Sequence, residues 1–424
     1  MPKRLDCASP SADPRPSSPM SDPTAKPPLR MPEFVALFSL TTSLTALSID
    51  AMLPALRDMG QALAVAEPNN TQLVVTMFIF GMVFGEIFFG PLSDALGRKR
   101  AILIGLALFG VGAMVAMTAQ SLEQVLLGRI IQGIGCAGPK IASRALIRDQ
   151  YEGPAMARIL SFIFMVFILV PMLAPALGQL VLTVADWRAI FFVFLIIAGI
   201  VALWLGLRQP ETLEPARRIR FSLPNLLVNG ALILRHGKVM AYTFAAGFLF
   251  GALLLYVSTA QAMFFDLYGI DETFPLYFAI IALGIGIASY FNSQLVMRYG
   301  MHRLAVVALS GLVLFSAALL AVAVTYDGVP PFGAFMTLCF LAFCCNGLLF
   351  GNINAMAMQS LGRVAGLGAS MIASVSSLAA VVISVALGRF YDMTVFPLAV
   401  GFLLAGVVSL GLVLSAHRSR AGAV

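Results

Sequence analysis

Twelve long apolar stretches, separated by short polar or glycine-bearing connections, dominate the chain. They run over residues 34–56, 70–92, 101–120, 124–146, 157–181, 187–207, 239–261, 273–296, 303–325, 331–358, 366–389 and 393–416. Each can cross a hydrocarbon core of ~30 Å as a helix rising about 1.5 Å per residue. A membrane barrel would instead show alternating polarity over segments of ~10 residues. Backbone groups in lipid need internal partners, so the pattern predicts an all-α membrane protein. The first stretch is too long for a signal peptide, follows a long tail and lacks a small-residue cleavage site.

Composition sharpens this picture. Hydrophobic residues make up 60% and charged residues 11% of the 424 positions, against roughly 45–50% and about 25% in soluble domains. Residues 1–30 are rich in Pro and Ser without apolar periodicity, which predicts a disordered tail. Residues 208–238 form the longest connection and divide the spans into two blocks of six, 31–207 and 239–424. The blocks carry a weak internal repeat. The connection after the second span reads Gly90-Pro-Leu-Ser-Asp94-Ala-Leu-Gly97-Arg98-Lys99-Arg100, and that after the eighth ends Gly300-Met-His302-Arg303. Two related halves of this kind are the organisation of a duplicated transporter.

Charge then sets the expected orientation. Of the 27 basic residues, Arg57, Arg188 and Arg389 fall on one side of the membrane, and Arg129 and Lys140 lie within a span. All others share the side of both termini, which the positive-inside rule assigns to the cytoplasm. The net charge of +7 is this topology signal, and no nucleic-acid partner is expected. Cys7, Cys136, Cys339, Cys344 and Cys345 form no disulfide framework. His236, His302 and His417 are scattered over loops, so no metal site is expected. Gly133-Ile-Gly135-Cys-Ala-Gly138 fits a dinucleotide-binding string but sits inside a span, where it reads as a packing face. No phosphate-loop motif appears, so no nucleotide cofactor is expected.

The glycine-rich loop has physical content. Gly90 permits close helix approach, Gly97 suits a left-handed turn, and Asp94 with Arg98, Lys99 and Arg100 can lock helix ends through charge. Ionisable groups inside spans are functional candidates by default. Asp50 and Arg129 sit at similar depth on antiparallel spans and can pair. A buried carboxylate beside an arginine is retuned by small movements, as proton coupling requires. The alternatives are an Asp50 exposed to outside water and an Arg129 that only holds helices together. Glu86, near the small residues Gly81 and Gly85, either takes up protons or ties to the loop cluster. Lys140 either snorkels to the interface or binds substrate. Asn346, Asn352 and Asn354 of the tenth span, with Tyr256, Gln261 and Asn292, either line a central cavity or bond between helices.

The Gly90–Arg100 loop resembles the signature loop (motif A) of the major facilitator superfamily. Asp50-Ala-Met-Leu-Pro-Ala-Leu56, Arg129-Ile-Ile-Gln132-Gly133-Ile-Gly135, Ala145-Leu-Ile-Arg148-Asp149 and Asp186-Trp187-Arg188-Ala-Ile-Phe191 resemble segments of its bicyclomycin-resistance (Bcr/CflA) branch of drug:proton antiporters. Pro171-Met-Leu-Ala174-Pro175-Ala-Leu-Gly178 resembles the antiporter motif (motif C), with Ala174 and Gln179 where that pattern usually has glycine. Relatives often carry an amide at the place of Glu86. The resemblance implies two six-helix pseudo-symmetric halves in a bacterial inner membrane, working as a monomer. It also implies export of drugs or small amphipathic molecules against protons, for which the buried charges Asp50, Arg129 and Glu86 are the candidate coupling residues, the acid at Glu86 being a departure from the relatives. The runner-up is symport, facilitated diffusion or export of a small metabolite. An intramembrane enzyme is excluded by the lack of any clustered nucleophile, base and metal set.

Overall fold

The computed structural model describes residues 29–151, 153–219, 221–359 and 365–418. Its helices are α1 (Met31–Asp50), α2 (Leu56–Ala62), α3 (Leu73–Leu96), α4 (Arg98–Met117), α5 (Leu122–Gln150), α6 (Gly153–Leu182), α7 (Arg188–Arg208), α8 (Leu223–Arg235), α9 (Gly237–Tyr268), α10 (Phe274–Tyr299), α11 (Met301–Thr325), α12 (Phe332–Met358), α13 (Ala365–Gly388) and α14 (Phe396–Arg418). Among the described residues ten helices are long and apolar enough to cross a membrane by composition alone. The charges on α5, Arg129, Lys140 and Arg144 among them, lower its hydropathy, yet it packs against α1, α3 and α4. With α6, whose segment Leu169–Leu182 is apolar, it completes twelve long helices. On α7, Phe192, Ile196, Ile200, Leu203 and Leu207 recur at helical spacing and all are exposed, which forms a lipid-facing stripe.

The first span differs from its expected range. The helix stops at Asp50, continues as a 3₁₀ turn over Leu53–Ala55 and resumes as α2. Pro54 is the cause, since its ring blocks the backbone bond that a continuous α-helix needs there. The connection at 208–238 is not a plain loop either. It contains a 3₁₀ turn at Pro215–Arg217 and α8, which packs on α9 and α13. The tail expected at 1–30 lies outside the described residues apart from Leu29 and Arg30.

The internal repeat is visible in the backbone. Gly97 joins α3 to α4 with φ 108° and ψ 156°, and Gly300 joins α10 to α11 with φ 78° and ψ 155°. This is a glycine-only extended region, not the left-handed helical turn expected for Gly97. Both loops lie at the end of the bundle where α1 begins, called the basal end below, and the other end is distal.

Close approach of α3 and α5 rests on small residues. A Cβ at Gly133 would stand 1.9 Å from the Phe78 carbonyl oxygen, and one at Gly81 would stand 2.1 Å from that of Ile130. Two backbones in this contact cannot separate without breaking the bundle. Gly133→Val is therefore expected to abolish a monodisperse size-exclusion peak in detergent, whereas a normal peak would contradict the packing.

Around this packing the halves meet along α3 with α13 and α6 with α10. At the distal end the Gln261 amide donates to the Pro54 carbonyl (2.8 Å) and the Asn69 amide to that of Tyr391 (2.8 Å). The Arg57 guanidinium lies 3.6 Å from the Phe265 ring centre. At the basal end Gly90 abuts Ser370. The two halves therefore touch at both ends.

Candidate functional site

Arg129 is fully buried on α5 and joins three helices. Its Nε donates to the Val74 carbonyl (2.9 Å), its Nη2 to that of Ser48 (2.8 Å) and its Nη1 to Gln132 Oε1 (2.6 Å). The Phe78 ring centre is 4.4 Å from its Cζ, a cation–π contact. Asp50, the last residue of α1, is only 5% exposed, so it does not face outside water. Its expected ion pair with Arg129 is not formed, and the guanidinium instead gives one N–H from each nitrogen to Gln132 and two backbone carbonyls. No ion pair of 4.0 Å or less to Asp50 occurs among the described residues.

The segment around Pro171, Pro175 and Gly178 lies on α6, with both prolines inside the helix and Ala174 buried. A Cβ at Gly178 would stand 2.1 Å from the Ala51 carbonyl oxygen. α6 is therefore seated directly on the break in the first span, one residue beyond Asp50.

Glu86 and Lys140 form a contact that neither residue suggested alone. Lys140 Nζ donates to Glu86 Oε1 at 2.5 Å, with the Glu86 side chain fully buried and that of Lys140 a quarter exposed. Glu86 thus does not tie to the basal loop, and Lys140 does not extend to the interface as expected. The legible signal was register: each lies ten residues before the basal end of its helix, α3 ending at Leu96 and α5 at Gln150. Antiparallel spans do not obscure this, since α3 and α5 both run toward the basal end.

The basal loop is a charge network. Arg98, nearly buried, pairs with Asp94, donates to Asp149 Oδ2 at 2.9 Å and to Ser93 Oγ at 2.8 Å. Lys99 Nζ donates to the Gly206 carbonyl (2.7 Å) and Arg100 is exposed. Sequence reasoning missed Glu211, from the connection after α7. Its Oε1 accepts from the Arg98 backbone N–H at 2.8 Å, capping the start of α4. The Ile219 N–H donates to the Asp94 carbonyl (3.1 Å), so the connection is docked on the loop at two points.

The six polar residues of the second half lie at three depths. Gln261 is at the distal contact already described. Tyr256 and Asn346 lie near mid-depth, and the Tyr256 hydroxyl is buried without a hydrogen-bond partner among the described residues, beside the rings of Phe278 and Phe343. Asn352 bonds between helices to Asn292 Oδ1 (2.7 Å), and Asn354 bonds to its own helix at Phe350 O (2.8 Å). For Asn292 and Asn352 the inter-helix alternative is the one seen.

Residues 38–384 match the Major Facilitator Superfamily. The chain belongs to that family. It is a multi-pass membrane transporter and not an enzyme. It is 29% identical to the bicyclomycin resistance protein homolog of Haemophilus influenzae, over 81% of this chain and 85% of that protein. It is 26% identical to the multidrug resistance protein MdtL of Klebsiella pneumoniae, over 86% of this chain and 91% of that one. The crystal structure of a D-xylose-proton symporter superposes with a TM-score of 0.73 at 16% identity, covering 91% of this chain and 96% of its own. At that identity the likeness concerns the major facilitator fold, two six-helix halves.

Proposed function

We propose that this transporter exports drugs or small amphipathic molecules in exchange for protons, by alternating access of units 31–207 and 239–424 joined by 208–238. The observation that carries the reading is Asp50, a buried carboxyl with no ion-pair partner among the described residues, placed at the break in the first span and beside the antiporter-like segment of α6. Protonation at Asp50 changes the charge at the joint where α1 and α6 meet, so proton binding and helix movement are coupled there. Arg129 is a positioning residue that holds α1, α3 and α5 in register around it. The curated relatives named for bicyclomycin and multidrug resistance support drugs as the solute class.

In this reading the basal end faces the cytoplasm of a bacterial inner membrane, in keeping with the basic residues gathered there, and the protein acts as a monomer. Gly90, Asp94, Gly97, Arg98, Lys99 and Arg100 form a latch that opens and closes with the basal contacts. Pro171, Pro175 and Gly178 hold the distal joint. Tyr256 and Asn346 contact the solute at mid-depth, while Gln261, Asn292, Asn352 and Asn354 adjust as the halves move.

Everted membrane vesicles from an overexpressing strain should accumulate chloramphenicol or bicyclomycin under an imposed pH gradient, and a protonophore should collapse that uptake. Accumulation that survives the protonophore would remove proton coupling from the reading.

A further inference from the structure

Between Asp50 and the basal end, one face of α5 is polar throughout. Arg129, Gln132, Cys136, Lys140 and Ser143 recur at three- and four-residue spacing, so they share that face. All but Lys140 are buried. Three separate contacts lie along the face: Arg129 to Gln132, Cys136 Sγ to Thr45 Oγ1 of α1 at 3.1 Å, and Lys140 to Glu86. Among the described residues two fully enclosed polar atoms of this face, Gln132 Nε2 and Ser143 Oγ, have no hydrogen-bond partner, and neither does Oε2 of Glu86 on the adjoining α3. A buried carboxylate oxygen without a donor is costly, and such sites call for an explanation.

We propose that Glu86 is a second proton station, and that the polar face of α5 with Thr45 carries the proton between Asp50 and Glu86. The proposal rests on the antiport reading above and extends it to the basal half of the route. The proton enters at Asp50 from the distal side. It then passes so that the Asp50 acid becomes the carboxylate as Glu86 becomes the acid. Glu86 finally releases it to basal water and returns to the anion. One direct jump is excluded by length. The Val74 carbonyl that holds Arg129 is twelve residues from Glu86 on α3, about 18 Å along the helix. The Thr45 hydroxyl and Cys136 thiol lie between, as groups able to accept one proton while passing another.

Lys140 is the positioning residue at this station. Its side chain is a quarter exposed while Glu86 is enclosed, so departure of the Lys140 side chain opens Glu86 to basal water. The charges around Glu86 are few. From α5 it faces Lys140, with Arg144 and Cys136 also in electrostatic range. α13 carries no ionisable side chain from Ala365 to Gly388. α4 brings Arg98, Lys99 and Arg100 at the basal end, where Arg98 is engaged with Asp94 and Asp149. α1 contributes Glu33 and Asp50, and α9, in slight contact with α3, carries Lys238, Tyr242, Tyr256, Asp266 and Tyr268.

The test uses the full chain in proteoliposomes with chloramphenicol as the probe, and compares accumulation under a pH gradient with exchange in its absence. Glu86→Gln should lose gradient-driven accumulation and keep exchange, and Lys140→Arg should retain both. Glu86→Gln alone leaves Lys140 unpaired and can fail to fold, so the deciding variant is Glu86→Gln combined with Lys140→Met, a neutral pair. It should exchange the probe and remain uncoupled. If the neutral pair restores gradient-driven accumulation, Glu86 is only a counter-ion and the proposal is overturned. A parent protein that shows no response to the gradient would instead defeat the antiport reading itself, before any Glu86 variant is compared.

Discussion

Replacing Asp50 by Asn is expected to abolish export against a concentration gradient while leaving downhill exchange of the same solute intact. The substitution keeps the volume and polarity of the side chain but removes its proton. Because Asp50 makes no ion pair among the described residues, no buried partner is stranded by the change, and folding should survive. The loss of driven transport should reach about two orders of magnitude, the lower range for removing a positioned proton-transfer group. Purified Asp50→Asn protein in liposomes checks this by comparing driven accumulation with exchange. Retained driven accumulation would move the proton site away from α1.

Arg98→Ala is expected to have the second largest effect, on both stability and transport. The substitution strands Asp94 and Asp149 and removes the donor to Ser93, three anchors between the ends of α3 and α5. Breaking a buried pair costs about 3–5 kcal/mol. Here the cost falls below that range, because the stranded Asp94 is 44% exposed and Asp149 21%, and water screens what remains. The melting temperature in detergent should fall, and transport should fall further than the folded fraction does, since the latch no longer holds the basal contact. Arg98→Lys should recover stability only in part, because a single ammonium cannot serve Ser93, Asp94 and Asp149 as the guanidinium fork does. Unchanged transport in Arg98→Ala would contradict the latch.

Much of this architecture was written in local chemistry. The hydrophobic runs marked the long helices, and Gly97 and Gly300 marked equivalent junctions because only glycine adopts their backbone angles. Gly133 and Gly135 read as packing residues and proved to be so, Gly133 against the backbone of α3 and Gly135 against that of α4. Other features depend on tertiary geometry. Asp50 and Arg129 share a depth, yet whether they pair is decided by backbone carbonyls of Ser48 and Val74 that no residue pattern displays. Glu211 lies in a connection far from Arg98 in sequence, and its capping role exists only once that connection folds back. α8 is short and its packing on α9 and α13 gives it a partner that composition does not reveal. The Glu86–Lys140 contact was within reach of depth counting, although each residue had a plausible solitary role.

The central claim is that solute and proton move in opposite directions through one protein. The most direct measurement is the pH change evoked by solute in proteoliposomes that hold a pH-sensitive dye inside, with no gradient imposed beforehand. Chloramphenicol or bicyclomycin flowing into the vesicles through the protein should carry protons out, raising the internal pH, and Asp50→Asn should erase the signal without stopping the flow. Internal acidification on solute entry would contradict the account, since it would mean that proton and solute travel together.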